Sequence, residues 1–575
     1  LVVHFFNVIF VHFITVINTQ ENYLIRRQSM SVNEKIEDKI KDKIKQKIEQ
    51  GKTYLGIEFG STRIKAVLID DSFEPVAAGA YEWENRLENG YWTYSLDDIH
   101  SGLRGCYASL TQDIKKRYAV KLETVSAMGI SAMMHGYMAF DKDDNLLVPF
   151  RTWRNTTTGQ AAKELTELLD FNIPQRWTSA HLYQAVLNHE PHISQIAYVT
   201  TLAGYIHYLL TGKRVVGVGE ASGIFPVNKI GYDKNMLKKY EDRLAEKGFK
   251  LSIEDIFPAV ADAGESCGVL TENGARLIDP TGTLKAGIPL CPPEGDAGTG
   301  MAAANAVRPK TGNVSAGTSI FSMLVLEKDI SGVYPEIDMV TTPDGNPVAM
   351  VHCNNCCSEL DAWVKMFGEF SGLTGNVIDK SQLYEILYKN AMTGDDDCGG
   401  ITAYNYLSGE PVTSVENGRP MYFRMPDAKM NLANFFRAQL YSSMAALKCG
   451  MDILFEKEQV MASQFTGHGG LFKVKGAAQQ ILADALNTPV AIMETAGEGG
   501  AWGMALLSAY MMCKNGESLA DWLDTRIFAG MKKSILNPES KGAEGFAKYM
   551  KRYKDGLLAE RKLGEEEWRT ACLKI

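Results

Sequence analysis

The pattern of apolar and polar positions over Tyr54–Asp70, YLGIEFGSTRIKAVLID, predicts two strands joined by a tight turn. The first strand is mostly apolar and the second alternates, which is typical of strands that bury at least one face. The turn is Gly60-Ser61-Thr62-Arg63. Its backbone N–H groups and hydroxyls suit the binding of a phosphate.

The same pattern recurs far along the chain. Gly312–Ser315 and Ile320–Leu326 predict a second hairpin around the turn Ala316-Gly317-Thr318-Ser319. A repeat at this distance predicts two related domains, each supplying one phosphate-binding hairpin to a shared cleft. Coincidence is the alternative interpretation, because Gly-Thr turns are common.

The segment EGDAGTG, before the second hairpin, brings the carboxylate of Asp296 into a glycine-flanked turn at the start of a helix-like run of small residues. Flanking glycines allow a bulky ligand to approach such a carboxylate closely. A base beside a phosphate-binding turn suits phosphoryl transfer to a hydroxyl group. The alternative is a surface loop followed by an ordinary hairpin.

Helical periodicity marks both ends of the chain and the region after the first hairpin. Ser31–Gln50 places Ile36, Ile40, Ile44 and Ile48 four residues apart, which predicts a helix with one apolar stripe. A leader helix lying on the first domain is favoured over a membrane-surface or partner helix, because acidic residues interrupt the lysines. Trp92–Val120 is predicted helical and Val125–Ile130 a strand, and Lys541–Leu563 predicts a charged helix packed on the second domain.

The composition is that of a globular protein with more than one domain. The chain has 575 residues, 45% of them hydrophobic and 22% charged, which exceeds the usual size of one core. A net charge of −9 argues against a nucleic-acid partner. The ten cysteines lack a framework spacing, so we expect reduced thiols in a cytoplasmic protein. Cys353, Cys356 and Cys357 cluster, but no second pair at zinc-site spacing follows them.

The N-terminal segment differs from the rest. Leu1–Ile17 is apolar, yet it lacks a basic flank and is short for a membrane span. Met30 opens a more ordinary sequence, so our hypothesis is that residues 1–29 come from a mis-assigned start. We therefore expect no membrane partner.

A candidate pocket for a polyhydroxylated ligand lies between Ser131 and Gln160. Met134, His135, Trp153 and Asn155 combine soft, aromatic and hydrogen-bonding groups. Taken singly, each is more often a core residue. Another acidic segment, Gly394–Gly400, resembles a calcium loop only superficially, because it lacks the terminal bidentate Glu, and it is interpreted as a turn.

An ordered set of motifs resembles the FGGY carbohydrate kinases. The motifs are GIEFGSTRIKAVLID, GISAMMHGYMAFD, EGDAGTGMAAANAV, GNVSAGTSIF, Tyr406–Glu410, Gly467–Gly470, Gln480–Leu486 and Gly497–Ala505. The resemblance covers about Tyr54–Ala509, and the ordered set is far more specific than any one motif. The MMHG and GEASG segments are most similar to the pentulose kinases, ribulokinase-like first and xylulokinase next.

The resemblance implies an actin-like (ribonuclease H-like) fold whose two α/β domains close over ATP and a ketose. It makes Asp296 the base that accepts the sugar hydroxyl proton, with Met134, His135 and Trp153 lining the sugar. Mg²⁺ would bridge the phosphates, with Glu58 and Asp296 acting through water. Phosphate contacts are implied for Gly60, Ser61, Thr62, Lys65, Gly317 and Thr318, and adenine or ribose contacts for Gly469, Gly470 and Gly499.

Two positions depart from the family pattern. Glu58 stands where such kinases usually carry Asp, which moves the carboxylate by about one methylene. Thr200–Tyr205 lacks the lysine that many relatives place just before the tyrosine, so the choice of sugar is open. Glu359 is a candidate replacement ligand for a sugar hydroxyl.

The organisation expected is an extension and leader helix over residues 1–51, a sugar-binding domain over 52–308, a nucleotide-binding domain over 309–515 and a helical tail over 516–575. The function expected is ATP-dependent phosphorylation of a ketopentose, L-ribulose first, with D-xylulose or another ketose as the alternative. An actin-like scaffold or chaperone ATPase is the alternative from another class, and a catalytically silent sugar sensor is a third. A homodimer is left open.

Overall fold

The computed structural model describes residues 37–229, 231–250, 252–493 and 499–565. The interpretations of Leu1–Ile17, of Met30 as the start and of Ile36 lie outside the described residues, as does Gly497 of the last motif.

The first domain is built on a five-stranded sheet. Its strands, in spatial order, are Glu294–Gly295, Ala127–Ala132, Thr53–Phe59, Arg63–Asp70 and Pro75–Glu82. The last three form an antiparallel meander, and the first two run parallel to Thr53–Phe59. The hairpin register places Glu58 opposite Lys65. The predicted first hairpin is therefore present, with its turn at one end of the sheet.

The second domain repeats this arrangement and adds an edge strand on each side. Its strands, in spatial order, are Asp338–Thr341, Pro347–Cys353, Ile320–Val325, Thr311–Ala316, Gln464–His468, Val490–Met493 and Lys533–Leu536. The antiparallel meander again comes first along the chain, and its first strand pairs in parallel with Gln464–His468. The shared strand order confirms the prediction of two related actin-like domains.

Helices cover both sheets. In the first domain they are Leu96–Tyr118, Gly159–Leu169, Thr178–Leu187, Leu202–Thr211, Val218–Ala221, Lys234–Glu246, Ile253–Ile256, Glu272–Ile278 and Asp296–Ala303. Later helices are Cys357–Leu373, Lys380–Ala391, Leu432–Asp452, Ala477–Leu486, Gly499–Cys513, Leu519–Trp522 and Ser540–Leu563. Short 3₁₀ turns are Pro191–Gln195, Cys398–Gly400, Pro411–Thr413 and Gly470–Phe472, and π turns are Ile453–Lys457 and Leu523–Ile527.

Small two-stranded ribbons complete the described elements. They pair Arg86–Glu88 with Tyr91–Thr93, Met138–Phe140 with Tyr198–Thr200, Val215–Gly217 with Ala259–Ala261, Val227–Asn228 with Gly231–Tyr232, and Ile401–Tyr404 with Met421–Arg424.

The helix predicted over Trp92–Val120 begins later than expected. Tyr91–Thr93 is a strand, and the helix starts after Ser95. The Ser95 hydroxyl accepts from the Asp98 N–H, and the Asp98 carboxylate accepts from the Ser95 N–H. This reciprocal cap satisfies free N–H groups at the helix start and fixes it there.

One helix of the later part of the chain returns to the first domain. Gly499–Cys513 packs against the first sheet so closely that a Cβ on Gly56 would lie 2.1 Å from the Ala501 carbonyl oxygen. Ala501, Met504 and Leu507 are buried in the same apolar cluster as Tyr54. This helix therefore ties the later part of the chain to the core of the first domain.

The two ends of the described chain pack on different domains. Residues 37–49 are helical, with Ile40 52% exposed, Ile44 partly buried and Ile48 buried against the first domain. Lys47 pairs with Asp70 at 2.6 Å. The C-terminal helix Ser540–Leu563 buries its aromatic side chains in the core of the second domain. Within the described residues, no helix is both long and apolar enough to span a membrane.

Candidate active site

A cleft of about 1000 Å³ lies between the two sheets and is lined by residues of both domains. Of the residues expected at the site, those that line it are Glu58, Ser61, Lys65, Met134, His135, Trp153, Asn155, Asp296 and Gly499. Others are not part of its lining: Gly60, Thr62, Gly317, Thr318, Glu359, Gly469 and Gly470.

Asp296 faces the cleft as the first residue of the helix Asp296–Ala303. The Met134 N–H donates to Asp296 Oδ1 at 3.2 Å, which holds the carboxylate in one orientation. Burial raises the pKa of Asp296 to about 6, while backbone N–H groups act against that rise. A carboxylate in this range is ionised at neutral pH yet basic enough to accept a proton.

Glu58 is the second carboxylate of the cleft. Burial and the charge of Asp296 raise its pKa to about 7, and Lys65 lowers it. A Cβ on Gly500 would lie 2.5 Å from Glu58 Oε1 and 2.8 Å from Thr299 Oγ1, so only glycine leaves this carboxylate its space.

The two carboxylates fit a magnesium ion that arrives with a nucleotide. Such ions keep several waters and need only one or two carboxylates besides the phosphates. Among the described residues, no group of three or more His, Cys, Asp or Glu could hold a metal without that help. The pair of carboxylates Glu58 and Asp296 is the number of protein ligands expected for a magnesium ion that is bound mainly by nucleotide phosphates.

Met134 and His135, which are expected to line the sugar, both face the cleft. His135 has a left-handed backbone, with φ of 68°, and its Nδ1 lies 3.3 Å from the Gly223 carbonyl oxygen. Trp153 Nε1 donates to Ser61 Oγ at 3.2 Å, which links the pocket to the first turn. Asn155 lines the cleft, but its side-chain amide is bonded to the backbone of Trp92 and Thr152. That bonding favours a supporting role for Asn155.

The two glycine turns reach the cleft through Ser61 and Ser319, whereas their glycines and threonines are not part of its lining. Gly60 accepts a hydrogen bond from Trp83 Nε1 at 2.7 Å, and Thr62 is exposed. In the second turn Thr318 is exposed and the Gly317 N–H donates to the Ser319 carbonyl at 2.9 Å. Gly469 must be glycine, because at its φ of 103° a Cβ would lie 2.3 Å from the Ala316 carbonyl oxygen.

Two of the positions discussed for sugar binding lie elsewhere. Glu359 is on the helix Cys357–Leu373 and does not line the cleft, so the structure does not bring it to the other candidate residues. Thr200–Tyr205 is also outside the cleft lining, and Tyr205 OH lies 3.2 Å from His100 Nε2.

Sequence reasoning missed a polar cluster that spans the cleft. Arg176 of the first domain forms an ion pair with Asp338 of the second, and all three of Arg176, Asp338 and His352 line the cleft. Asn172 Nδ2 donates to the Ile337 carbonyl at 2.9 Å and to Asp338 Oδ1 at 3.2 Å. Burial, assisted by the charge of Arg176, lowers the pKa of His352 to about 3.

Two buried glutamates behind Asp296 were also missed. Glu294 accepts from the Gly219 N–H at 3.2 Å, and burial raises its pKa to about 8. Glu220 is fully buried, and its pKa is also raised by burial. A Cβ on Gly295 would lie 2.6 Å from Glu220 Oε2. The only sequence signal was the glycine-rich spacing around both residues.

The acidic segment Gly394–Gly400 is a turn held by cations. Asp395 pairs with Lys429, Asp396 with Arg437 and Asp397 with Arg552. The prediction of a turn is supported, since all three carboxylates have protein partners.

Comparison with known proteins connects this cleft to one family. The model for the N-terminal domain of the FGGY family of carbohydrate kinases matches residues 53–301, and the C-terminal domain model matches residues 312–512. A xylulose kinase from Haemophilus influenzae is 22% identical over 493 residues, which is 82% of this chain and 92% of the relative.

Solved structures of kinases that are named for different sugars share this fold. A ligand-bound xylulose kinase from Lactobacillus acidophilus has a TM-score of 0.71 at 16% identity, over 89% of this chain and 99% of that one. A gluconate kinase from the same organism has a TM-score of 0.72 at 16% identity and the same coverage. The fold therefore does not select the sugar. Both domain models together show that the chain belongs to the FGGY family of carbohydrate kinases.

Proposed function

We propose that this protein transfers the γ-phosphoryl group of ATP to a hydroxyl group of a ketopentose. The observation that carries the proposal is Asp296, held by the Met134 N–H at the meeting point of the two domains. A nucleotide-switched scaffold needs neither this oriented base nor an acceptor pocket. Family membership also favours the kinase over that alternative.

In the proposed reaction the Asp296 carboxylate accepts the proton of the attacking sugar hydroxyl. The Met134 N–H fixes the carboxylate, and the side chains of Trp153 and His135 flank the acceptor. Lys65, beside Glu58, offers positive charge to the phosphates. Mg²⁺, when bound with the nucleotide, neutralises phosphate charge, and Glu58 and Asp296 are the carboxylates that would hold it through water.

The neutral histidines of the pocket suit hydroxyl recognition. Burial lowers the pKa of His135, and the nearby Arg176 adds to the effect. A neutral imidazole has one donor and one acceptor nitrogen. Because His135 Nδ1 lies against the Gly223 carbonyl, an oxygen that only accepts, Nδ1 carries the proton and Nε2 is left to accept a hydrogen bond from a hydroxyl group. The acceptor is therefore expected to be uncharged at this end, as a ketose is.

D-xylulose is the acceptor to test first, because the curated relative covering most of the chain is named a xylulose kinase. L-ribulose, which the motif wording favoured, comes second. A few hydroxyl contacts decide between epimers, and a site that bonds a hydroxyl rejects analogues that misplace it.

The test is ADP release, coupled to a spectrophotometric assay, across D-xylulose, L-xylulose, D-ribulose, L-ribulose and gluconate. The kinase proposal predicts that one ketopentose gives a kcat/KM well above the others. Stimulation by gluconate alone would replace the ketose with a sugar acid as the substrate class. Asp296→Asn serves as the matched control for every sugar.

A further inference from the structure

Two neighbouring thiols lie directly behind the second glycine turn. The sulfur atoms of Cys356 and Cys357 are 3.5 Å apart. Cys353 is fully buried in the same apolar cluster, three positions before Cys356. The sequence marked this cysteine cluster, and the proposed phosphoryl transfer makes no use of it.

The thiol pair is bonded to the turn through its backbone. The Cys356 N–H donates to the Thr318 carbonyl at 2.9 Å, and the Cys357 N–H donates to the Gly317 carbonyl at 3.0 Å. Cys357 is also the first residue of the helix Cys357–Leu373. The peptide unit between the two cysteines therefore supports the turn expected to face the nucleotide phosphates.

The two thiols differ in access. Cys356 is 1% exposed, whereas Cys357 is half-buried. The hydrogen bond to Cys357, together with burial, raises the pKa of the Cys356 thiol well above its usual range. Because the thiolate is the nucleophile, Cys357 is the thiol that meets an oxidant first and Cys356 the one that reacts second.

We propose that Cys356 and Cys357 form a reversible disulfide under peroxide and that this bond weakens nucleotide binding at the Gly317–Thr318 turn. The Cys357 thiolate attacks one peroxide oxygen, which gives a sulfenic acid and releases hydroxide. The Cys356 sulfur then attacks the sulfenic sulfur, the S–S bond forms, and the hydroxyl leaves as water. Two thiols and one hydrogen peroxide give one disulfide and two waters.

The geometry explains both the reversibility and the effect. Neighbouring Cα atoms lie about 3.8 Å apart across a trans peptide, and the described chain has no cis peptides. Relaxed disulfides span about 4.4–6.8 Å between Cα atoms, so a bond between neighbours is strained and easily reduced. The ring includes the Cys356–Cys357 peptide, so its closure turns the N–H that bonds Gly317.

Disulfide formation is measured first, independently of activity. The full-length protein is treated with hydrogen peroxide, unreacted thiols are alkylated, and the peptides are analysed by mass spectrometry. The expected product is a peptide that has lost two hydrogens and carries no alkyl group on Cys356 or Cys357. Cys353→Ala should give the same product, and dithiothreitol should reverse it. Sulfinic acid at Cys357 with Cys356 still alkylated would overturn the proposal.

The functional effect is measured second and rests on the proposed ATP site. Peroxide is expected to raise the KM for ATP several-fold in the wild type and in Cys353→Ala, with recovery after reduction. The KM of Cys357→Ser for ATP should not change on peroxide treatment, although this variant still has the partly accessible Cys267, Cys449 and Cys513. An equal rise in Cys357→Ser would place the effect at another thiol. Disulfide formation without any ATP-dependent activity would count against the kinase proposal and leave the modification standing.

Discussion

Arg176 and Asp338 form an ion pair that joins the two domains across the cleft, although 162 positions separate them in the chain. Asp338 begins an edge strand of the second sheet, and Thr341 is the last residue of that strand. The Thr341 hydroxyl also contacts the first domain, because it donates to the Val218 carbonyl at 3.1 Å. The same strand thus contacts the first domain inside the cleft, through Asp338, and outside it, through Thr341. Substitutions at Asp338 and at Thr341 can therefore distinguish an effect on acceptor recognition from an effect on the contact between the domains.

Asp338→Asn is expected to raise the KM for the ketose by roughly tenfold, because a charged hydrogen bond is lost beside the acceptor pocket. Thr341→Val is the matched control, since it removes an interdomain hydroxyl bond outside the cleft and keeps the side-chain volume. Initial rates at varied ketose and saturating ATP decide the matter. An equal rise in the ketose KM of both variants would show that the Arg176–Asp338 ion pair serves only the contact between the domains.

Asp296→Asn should abolish phosphorylation and leave ATP binding nearly intact. The substitution removes the proton acceptor and keeps the shape, so turnover should fall at least ~10²-fold. Turnover and calorimetric titration of ATP are measured on the same preparation. Retention of more than about a tenth of wild-type turnover would show that another group accepts the proton.

The acidic limb of the pH–rate profile should report both carboxylates. Asp296, with a pKa of about 6, and Glu58, with a pKa of about 7, must both be ionised, so kcat/KM should fall as the pH drops through this range. Two ionisations give a steep limb whose apparent pKa values belong to the pair. Glu58→Gln should leave a shallower limb near the pKa of Asp296. An unchanged limb in this variant would remove Glu58 from the mechanism.

Local pattern was enough to predict the two hairpins and to single out Asp296 as a candidate. Thr53–Phe59, Arg63–Asp70 and Thr311–Ala316 begin and end within a residue or two of the predicted strands, because alternation and a glycine turn define a hairpin locally. Asp296 was found because glycines surround it. The family motifs then supplied the fold, which the strand order of both sheets confirms.

The cross-domain parts of the site could not be predicted from local pattern. Arg176 has no motif around it, and its partner Asp338 becomes a neighbour only when the domains meet. Glu294 was visible beside Asp296, but its burial depends on Gly217 and Gly219, whose missing side chains leave room for its carboxylate. Packing between distant segments, rather than periodicity, decides these positions.

The buried Glu294 predicts a specific dependence of stability on pH. Its pKa of about 8 in the folded protein exceeds its ordinary value of 4.5, so the folded state holds the proton more strongly than the unfolded one. The resulting stabilisation is complete below the unfolded pKa and is lost as the pH rises through about 8. Glu294→Gln should therefore show a smaller fall in Tm between about pH 6 and 9 than the wild type. Glu246→Gln, on an exposed helix face, is the control and should keep the wild-type slope.

Trp153 connects acceptor binding to the phosphate end of the cleft, because its indole N–H donates to Ser61 Oγ at 3.2 Å. A ketose packed against Trp153 would order this contact and help exclude water, which otherwise competes as the phosphoryl acceptor. The accepted ketose should therefore raise ADP release far above the idle rate and change tryptophan fluorescence. Seven other tryptophans give a background signal, so Trp153→Phe is measured alongside.

Trp153→Phe should lose the fluorescence response and raise the ketose KM by up to about tenfold, since a large aromatic contact shrinks and its N–H is lost. Ser61→Ala keeps the ring and removes only the bond between the two residues, so it should preserve the fluorescence response and affect the ketose KM less. A wild-type rate of ADP release that is indifferent to every ketose and to gluconate would instead favour a scaffold ATPase. In that case the oriented Asp296 would need another acceptor, and the kinase proposal would be withdrawn.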